Sequence, residues 1–313
     1  MKYRTLGRSG LMVSVVGLGC NNFGRTGSAT ESLEGTRAVV DAAIEAGITL
    51  FDIADIYGGQ GTSETLLGEV LGKRRDDIVL ATKFGMDMGG ANGPDWGARG
   101  SRRYIRLAVE ASLRRLRTDW IDLYQYHEPD GITPIEETLA ALNELVDEGK
   151  VRYIGSSNFA GWQVAEAEYV ARGSGGARFV SAQNEYSLLN RSAEAELAPA
   201  CTEFGVGILP FFPLASGLLT GKYARDAEPA AGTRLANRRH VHDNANWDLI
   251  SRIATFAAER GASMLDVAIG GLAAQPAVSS VIAGATRPEQ IKANVAAGAW
   301  TPTAEEVAAL NAL

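Results

Sequence analysis

The chain alternates eight short apolar runs with stretches of helical periodicity, and this alternation narrows the choice of fold more than any other feature. The runs lie at Val15–Leu18, Leu50–Asp52, Ile78–Lys83, Ile121–His127, Arg152–Ser157, Phe179–Asn184, Val206–Phe212 and Val278–Ala283. Polar and apolar residues do not alternate within the runs, so each strand is predicted to be buried on both faces, as in parallel sheets. Eight parallel strands separated by helices predict a closed (β/α)8 TIM barrel.

The 313 residues are enough for one such barrel and show no change of composition, so residues 1–313 are predicted to form a single domain. An open doubly wound sheet is the alternative. It is disfavoured because the first run leads into Gly17–Gly24, which lacks the G-x-G-x-x-G spacing of a dinucleotide-binding turn. Ahead of the barrel, residues 3–6 and 11–13 flank Gly7–Gly10 and predict an N-terminal β-hairpin.

Two connections between the predicted elements are long, Gly85–Gly100 and Ala215–Asn246. Both follow strands, so they are predicted to lie on the C-terminal face, where barrels of this kind carry their active sites. The fourth helix is predicted to begin with Thr133 as N-cap, Pro134 at the first helical position and Glu136 completing a capping box.

The composition argues against several classes of partner. The net charge of −7 is the opposite of the basic footprint of nucleic-acid-binding proteins. Two cysteines, Cys20 and Cys201, are too few for a disulfide scaffold and are predicted to be reduced and buried. Without a signal peptide or an apolar run of membrane-spanning length, a cytoplasmic protein with no membrane partner is expected. A barrel of this size is compatible with a monomer or a homo-oligomer.

Four residues at or just after the predicted strand ends carry the chemistry: Asp52, Tyr57, Lys83 and His127, called the tetrad below. Because neighbouring strands lie about 4.8 Å apart, these side chains can meet on the C-terminal face. A lysine ammonium lowers the cost of ionising a tyrosine, and an aspartate would keep that lysine charged. With a histidine bonding the same oxygen, the tetrad could protonate a substrate carbonyl. No side chain supplies a hydride, so a cofactor is required.

From residue 3 to about residue 298, the chain resembles the aldo-keto reductase family. The resemblance rests on Phe51-Asp52-x-Ala54-x-x-Tyr57, on Thr82-Lys83 and on His127-x-Pro129 in combination. It implies that Tyr57 is the general acid, that Lys83 lowers the pKa of Tyr57, that Asp52 pairs with Lys83 and that His127 orients the carbonyl. The implied activity is NAD(P)H-dependent reduction of a small carbonyl substrate, an aldehyde or a ketone, to an alcohol.

The resemblance also implies a set of cofactor-binding residues: Ser157, Asn158, Gln183, Phe211, Pro213, Leu214, Ser216, Gly217, Lys222, Gly284, Thr286, Arg287, Gln290 and Asn294. Well-known members of the family have a lysine in place of Gly284 and an arginine in place of Gln290. Arg287 is then the best partner for a 2′-phosphate, so NADP(H) is expected to be preferred and NAD(H) to be possible.

Other interpretations of the same residues stay open at this stage. Asp52 and Lys83 could form only a structural ion pair. The fold could serve as a nucleotide-binding regulatory or interaction subunit, or as a lyase or isomerase with a Schiff base on Lys83. His240 and His242 are predicted to be solvated rather than metal ligands, because no cysteine is near them.

Overall fold

The structure is a computed structural model that describes residues 1–230 and 233–313; residues 231 and 232, within the long connection Ala215–Asn246, lie outside the described residues. The strands are β1 (Tyr3–Thr5), β2 (Met12–Ser14), β3 (Val16–Gly19), β4 (Leu50–Asp52), β5 (Val79–Phe84), β6 (Ile121–Tyr126), β7 (Val151–Ser157), β8 (Phe179–Gln183), β9 (Gly207–Ile208) and β10 (Val281–Gly284). The α-helices are α1 (Leu33–Glu45), α2 (Tyr57–Gln60), α3 (Thr62–Leu71), α4 (Arg102–Leu116), α5 (Ile135–Asp147), α6 (Gly161–Ser174), α7 (Leu197–Phe204), α8 (Arg239–Asp243), α9 (Trp247–Glu259), α10 (Met264–Ala273), α11 (Pro288–Ala297) and α12 (Ala304–Asn311).

Strands β3 to β10 form one parallel sheet in the order β10-β3-β4-β5-β6-β7-β8-β9. The two ends of the sheet meet, since Ile208 of β9 forms a parallel bridge with Val278 just before β10. Ile208 N–H donates to Ala277 O at 2.7 Å, and Ser279 N–H donates to Ile208 O at 2.9 Å. The fold is therefore the (β/α)8 barrel that the alternation predicts, rather than an open doubly wound sheet.

The strands are apolar on both faces because each face meets a different core. In β5 and β6, Leu80 and Tyr124 belong to the large outer cluster that the helices cover. Their neighbours Ala81 and Leu123 belong to a separate cluster inside the barrel. Successive residues of a strand point to opposite faces, so burial of both faces leaves no polar alternation in the sequence.

The N-terminal hairpin closes the bottom of the barrel, as β1 and β2 pair antiparallel. Leu6 and Val13 are fully buried in the inner cluster. The barrel side chains of that cluster are Leu50, Ala81, Leu123, Leu209 and Ile282. The hairpin predicted from the sequence is confirmed, and the structure shows that it seals the end of the barrel opposite the active-site face.

The seventh and eighth strands differ from their predicted bounds. The run Val206–Phe212 yields only the two residues of β9, because Pro210 has no N–H to extend the ladder. Phe211 rejoins the sheet in a single bridge to Glu185. The eighth strand begins at Val281, while Val278 makes the isolated bridge that closes the barrel.

The start of α5 also differs from the prediction by one residue. The N-cap is Pro134, and no side chain caps the helix. The hydroxyl of Thr133 instead donates to Asp130 Oδ2 at 2.7 Å, which removes it from the capping position. Cys20 and Cys201 are free and buried, as predicted. Among the helices of the described chain, none combines the length and the apolar composition that crossing a membrane requires.

We expect Leu6→Ala to lower the free energy of unfolding by about 2–5 kcal/mol, because it empties space in a closed apolar cluster. Met12→Ala in the same hairpin is the control: Met12 is 49% exposed, and its truncation should change stability by less than about 0.5 kcal/mol. Urea unfolding measures both. Equal effects of the two substitutions would contradict the sealing role of the hairpin.

Candidate active site

The barrel brings the tetrad together by means of strand register. Asp52 is the last residue of β4, Lys83 is near the end of β5, and His127 follows β6 directly. Tyr57 begins α2, five residues after β4, and its N–H donates to Ala54 O at 3.2 Å. The strand ends therefore converge as the sequence predicts.

Lys83 is the centre of the tetrad and is completely buried. Its Nζ lies 2.8 Å from the Asp52 carboxylate and 3.3 Å from Tyr57 Oη. A third bond goes to Ile53 O at 2.9 Å, so each of the three ammonium protons has an acceptor. A buried cation with all donors paired is one of the few stable ways to place a lysine in a core.

A polar layer inside the barrel holds the Asp52 carboxylate in place. Gln183 Nε2 donates to Asp52 Oδ1 at 2.7 Å, and Gln125 Nε2 approaches the same oxygen at 3.4 Å. Gln125 follows Leu123 by two positions, so both side chains point inward, and the barrel interior changes there from apolar to polar. Gln125 was not among the predicted site residues, although its position on the inner face of β6 follows from the period of the strand.

Burial decides the protonation state of Tyr57, whereas the neighbouring groups decide that of Lys83. Burial raises the pKa of Tyr57, and the Lys83 ammonium offsets only part of that rise. The expected effect of Lys83 is therefore present but does not dominate, and Tyr57 stays protonated at neutral pH. Burial disfavours the Lys83 ammonium, yet the Asp52 charge, together with the hydrogen bonds to Asp52 and Tyr57, outweighs it and raises the pKa of Lys83.

His127 is uncharged at neutral pH. Burial first, and the Lys83 charge second, hold its pKa well below the usual range. Its ring lies edge-on to Tyr57 with the centroids 5.9 Å apart. Its Nδ1 is buried without a hydrogen-bond partner among the described residues. A neutral imidazole beside a neutral phenol can bond one substrate oxygen without adding a competing charge.

A cleft of about 720 Å³ opens over the tetrad. Asp52, Tyr57 and His127 line it, whereas Lys83 lies beneath its wall. Of the predicted cofactor-binding residues, those lining the cleft are Ser157, Asn158, Gln183, Phe211, Pro213, Leu214, Ser216, Gly217, Lys222, Gly284, Thr286, Arg287 and Gln290. Asn294 is the exception, because its side chain is buried in α11 and does not reach the cleft wall.

Three further arginines line the cleft that the site prediction did not include: Arg25, Arg234 and Arg238. Within residues 1–230 and 233–313, no carboxylate lies within ion-pair distance of any of them. Burial, with the charges of Arg238 and Arg25, lowers the pKa of Arg234 to about 10. The cleft therefore has several positive charges along its lining. Arg234 and Arg238 lie in the connection Ala215–Asn246, and its unusual length is typical of a functional loop. Nothing in the sequence singles out Arg25.

The segment before α11 is already organised in this structure. Gln290 Oε1 accepts from Thr286 N–H at 2.7 Å and from the Thr286 hydroxyl at 3.2 Å. Arg287 is the N-cap of α11 and is exposed at the cleft. Gly284 approaches Asn22 so closely that an added Cβ would lie 3.2 Å from Asn22 Nδ2. A lysine at this position would therefore be crowded by the loop that follows β3.

The histidine pair in the long connection is not solvated as a whole. His242 is buried, with Nε2 3.0 Å from Ala224 O and its ring edge-on to Trp247. The prediction of a solvated pair is wrong for His242, because its ring packs between the backbone near Ala224 and the Trp247 side chain. In the described part of the chain, no group of three His, Cys, Asp or Glu side chains is arranged to hold a metal ion.

We expect Lys83→Met to lower the free energy of unfolding by about 3–5 kcal/mol, since it leaves the Asp52 carboxylate buried without its partner. The double variant Lys83→Met/Asp52→Asn removes that charge and should recover most of the loss. Chemical denaturation of the parent, both single variants and the double variant gives the four free energies of unfolding of a double-mutant cycle. A double variant as unstable as Lys83→Met would mean that packing, and not the ion pair, accounts for the loss.

Comparisons with known proteins identify the family of this chain. A model of the Aldo/keto reductase family matches residues 15–313. The chain is 38% identical to the uncharacterized oxidoreductase YrpG of Bacillus subtilis (strain 168), covering 95% of this chain and 91% of that protein. It is 37% identical to a probable voltage-gated potassium channel subunit beta of Oryza sativa subsp. japonica, with coverage of 95% and 91%. It is 34% identical to the L-glyceraldehyde 3-phosphate reductase of Escherichia coli (strain K12), with coverage of 95% and 87%. The chain belongs to the aldo/keto reductase family.

Proposed function

We propose that this protein is an NAD(P)H-dependent oxidoreductase that reduces aldehydes or ketones to alcohols, with Tyr57 as the general acid. The observation that supports this most directly is the contact of Tyr57 Oη with the charged Lys83 Nζ at 3.3 Å, in the wall of a cleft. A neutral phenol beside a fixed cation can release its proton while a nearby positive charge stabilises the tyrosinate that remains.

The cleft residues fit a nicotinamide dinucleotide. Asn158 is held by its N–H to Gln183 O at 3.0 Å and by its Nδ2 to His127 O at 3.0 Å. With Ser157 it presents amide and hydroxyl groups that would bind a carboxamide. Phe211 offers an aromatic face for stacking on the ring. The bound nicotinamide would supply the hydride to the carbonyl carbon.

The tetrad residues then have separate tasks in the reaction. Tyr57 gives its Oη proton to the carbonyl oxygen as the C–H bond forms at the carbon. Lys83 stabilises the tyrosinate, and Asp52 keeps Lys83 charged and in place. His127 bonds the carbonyl oxygen and orients it toward Tyr57. Lys83 itself is a poor candidate for a Schiff base, because it is charged and lies beneath the cleft wall.

We propose that NADP(H) is preferred over NAD(H). The support is the group of cations that face the cleft and have no carboxylate partner among the residues that the structure describes, with Arg287 at the start of α11 among them. A 2′-phosphate adds about two negative charges and forms strong bonds with arginine. The same charge would suit a phosphorylated aldehyde, the kind of substrate for which the Escherichia coli relative is named.

We further propose one domain over residues 1–313 and a cytoplasmic protein acting on small carbonyl compounds. The support for one domain is the pairing of β10 with β3 across most of the chain length. A second candidate function, a nucleotide-binding subunit that holds a partner protein, is favoured only by the potassium channel subunits among the relatives. Tight nucleotide binding without turnover on any carbonyl would support it.

We expect Tyr57→Phe to lower kcat by about 10²- to 10⁴-fold, because it removes only the proton donor. Binding of NADPH, followed by quenching of protein fluorescence, should stay unchanged. Turnover is followed by the loss of reduced nicotinamide absorbance with a panel of aldehydes and ketones. Tyr169→Phe on the exposed face of α6 is the control. If Tyr57→Phe turned over as fast as the parent, another group would be the acid.

We expect Arg287→Ala to raise the Kd for NADPH roughly tenfold, the value of one charge-assisted hydrogen bond, and to change the Kd for NADH much less. Lys292→Ala on the same helix, outside the cleft wall, is the matched control for charge alone. Fluorescence titrations at one fixed salt concentration provide both constants. Equal losses for the two nucleotides would show that the 2′-phosphate is bound elsewhere.

A further inference from the structure

A chain of buried and partly buried hydrogen bonds connects the neighbour of Lys83 in β5 with the segment that leads to Tyr57. Thr82, next to Lys83 in β5, donates its hydroxyl to Glu64 Oε1 at 2.6 Å. Glu64 Oε2 accepts from Arg115 Nε at 2.7 Å, and Arg115 Nη1 donates to Asn92 Oδ1 at 3.0 Å. Asn92 Nδ2 donates to Asp55 Oδ2 at 2.8 Å. We call these five residues the buried chain.

The buried chain ends two residues before the proposed acid. Asp55 N–H donates to Lys83 O at 3.2 Å, so the Asp55 backbone is bound to β5 while its side chain is bound to Asn92. Between Asp55 and Tyr57 there is only Ile56. The Asp55 end of this short segment is therefore held by β5 and by Asn92, while the hydroxyl at the Tyr57 end lies 3.3 Å from Lys83 Nζ.

Asn92 brings a distant part of the sequence to this point. It lies in the long connection Gly85–Gly100, yet its side chain is only 6% exposed. Both ends of its amide are used, since Oδ1 accepts from Arg115 while Nδ2 donates to Asp55 and approaches Tyr104 Oη at 3.4 Å. Arg115 reaches this point over Gly61, where an added Cβ would lie 2.5 Å from Arg115 Cδ.

We propose that Asn92 and Asp55 are positioning residues, which hold Tyr57 at its working distance from Lys83 and couple it to the connection Gly85–Gly100. The proposal rests on Tyr57 being the general acid, as proposed above. Displacement of a catalytic group by even a fraction of an ångström lowers turnover, whereas nucleotide binding on the other wall of the cleft is unaffected. None of the residues of the buried chain lines the cleft.

The buried surroundings of Asp55 favour the neutral acid. Burial first, and the Glu64 carboxylate second, raise the pKa of Asp55 to about 8. Arg115 carries one positive charge and is already paired with Glu64, so an ionised Asp55 would leave the cluster with a net negative charge. Asp55 Oδ1 and Tyr124 Oη are both buried without a partner in the described structure. The polar groups that face Asp55 are Glu64 of α3, Tyr104 and Arg115 of α4, Tyr124 of β6 and Asn92 of the connection.

The first test compares Asn92→Ala with Gln275→Ala. Gln275 is the matched control because it is another amide with 7% exposure, it bonds Asn311, and it precedes β10 at the bottom of the barrel, away from the cleft. With NADPH and the aldehyde that the parent reduces fastest, we expect Asn92→Ala to lower kcat about 10- to 100-fold. The Kd for NADPH should stay within about twofold of the parent value, since the direct binding groups remain. Gln275→Ala should lose stability but keep kcat.

The second test uses Asp55→Asn, which keeps the size and an acceptor for Asn92. Between the ordinary value near 3.8 and the folded value of about 8, the folded protein holds a proton on Asp55 that the unfolded chain releases. Stability therefore falls as pH rises through that window, and Asp55→Asn should lose this dependence. In the parent, kcat/KM should fall as pH rises past about 8, and in Asp55→Asn that fall should move toward higher pH.

Three outcomes decide between the proposals. Loss of kcat in Asn92→Ala, together with the shifted alkaline limb of Asp55→Asn, would support positioning by the buried chain. If Asn92→Ala behaves as Gln275→Ala does and Asp55→Asn keeps the alkaline limb of the parent, the buried chain is structural only and the positioning role is overturned. If the parent itself shows no turnover that depends on Tyr57, the proposed function fails first, and this result is recognised from the parent and Tyr57→Phe alone.

Discussion

A single positive charge, buried at the C-terminal ends of the strands, organises the upper half of this barrel. The Lys83 ammonium is removed from water and has three acceptors, on Asp52, Ile53 and Tyr57. Because an unpaired buried ammonium costs several kcal/mol, any slip of β4 against β5 is strongly disfavoured. Register here is set by electrostatics as well as by apolar packing. The polar layer under the cleft, with Gln125 and Gln183 on the Asp52 carboxylate, follows from the same charge.

The Lys83 charge shifts the pKa values of Tyr57 and His127, but burial has the larger effect on both. The phenol of Tyr57 keeps its proton because desolvation exceeds the attraction of Lys83, and the imidazole of His127 stays neutral because desolvation and Lys83 act in the same direction. The site thus carries one cation and one carboxylate, which cancel, and two neutral groups that face the cleft. Negative charge developing on a carbonyl oxygen would be the only uncompensated charge in the tetrad, and Lys83 lies close enough to stabilise it.

The barrel and the tetrad were accessible from the sequence because both depend on local periodicity. Leu50–Asp52 is a strand with the predicted bounds. Asp52 follows Leu50 by two positions, so both side chains point to the inside of the barrel. Features that depend on contacts between distant segments were not accessible. The burial that raises the pKa of Tyr57, the approach of Arg25 to Arg234, and the use of Asn92 from a long connection leave no pattern at any fixed spacing. The shortening of the seventh strand at Pro210 was readable, since a proline cannot continue a ladder.

The cleft arginines differ from the tetrad, because they have no carboxylate partner within residues 1–230 and 233–313. Burial first, and the charges of Arg238 and Arg25 after it, lower the pKa of Arg234 to about 10. Arg234 Nε is also buried without an acceptor among the described residues. Placing like charges close together lowers the stability of the folded chain, so their placement follows no folding requirement. A bound polyanion would relieve that repulsion and would stabilise the protein in proportion to RT ln(1 + [L]/Kd). The charges of the tetrad balance without a ligand, because Lys83 pairs with Asp52. The positive charges of the cleft arginines would be balanced only by a bound anion. The reductase proposed above would need this difference, because its acid would have to be ready before binding while its affinity would come from the phosphates of the cofactor.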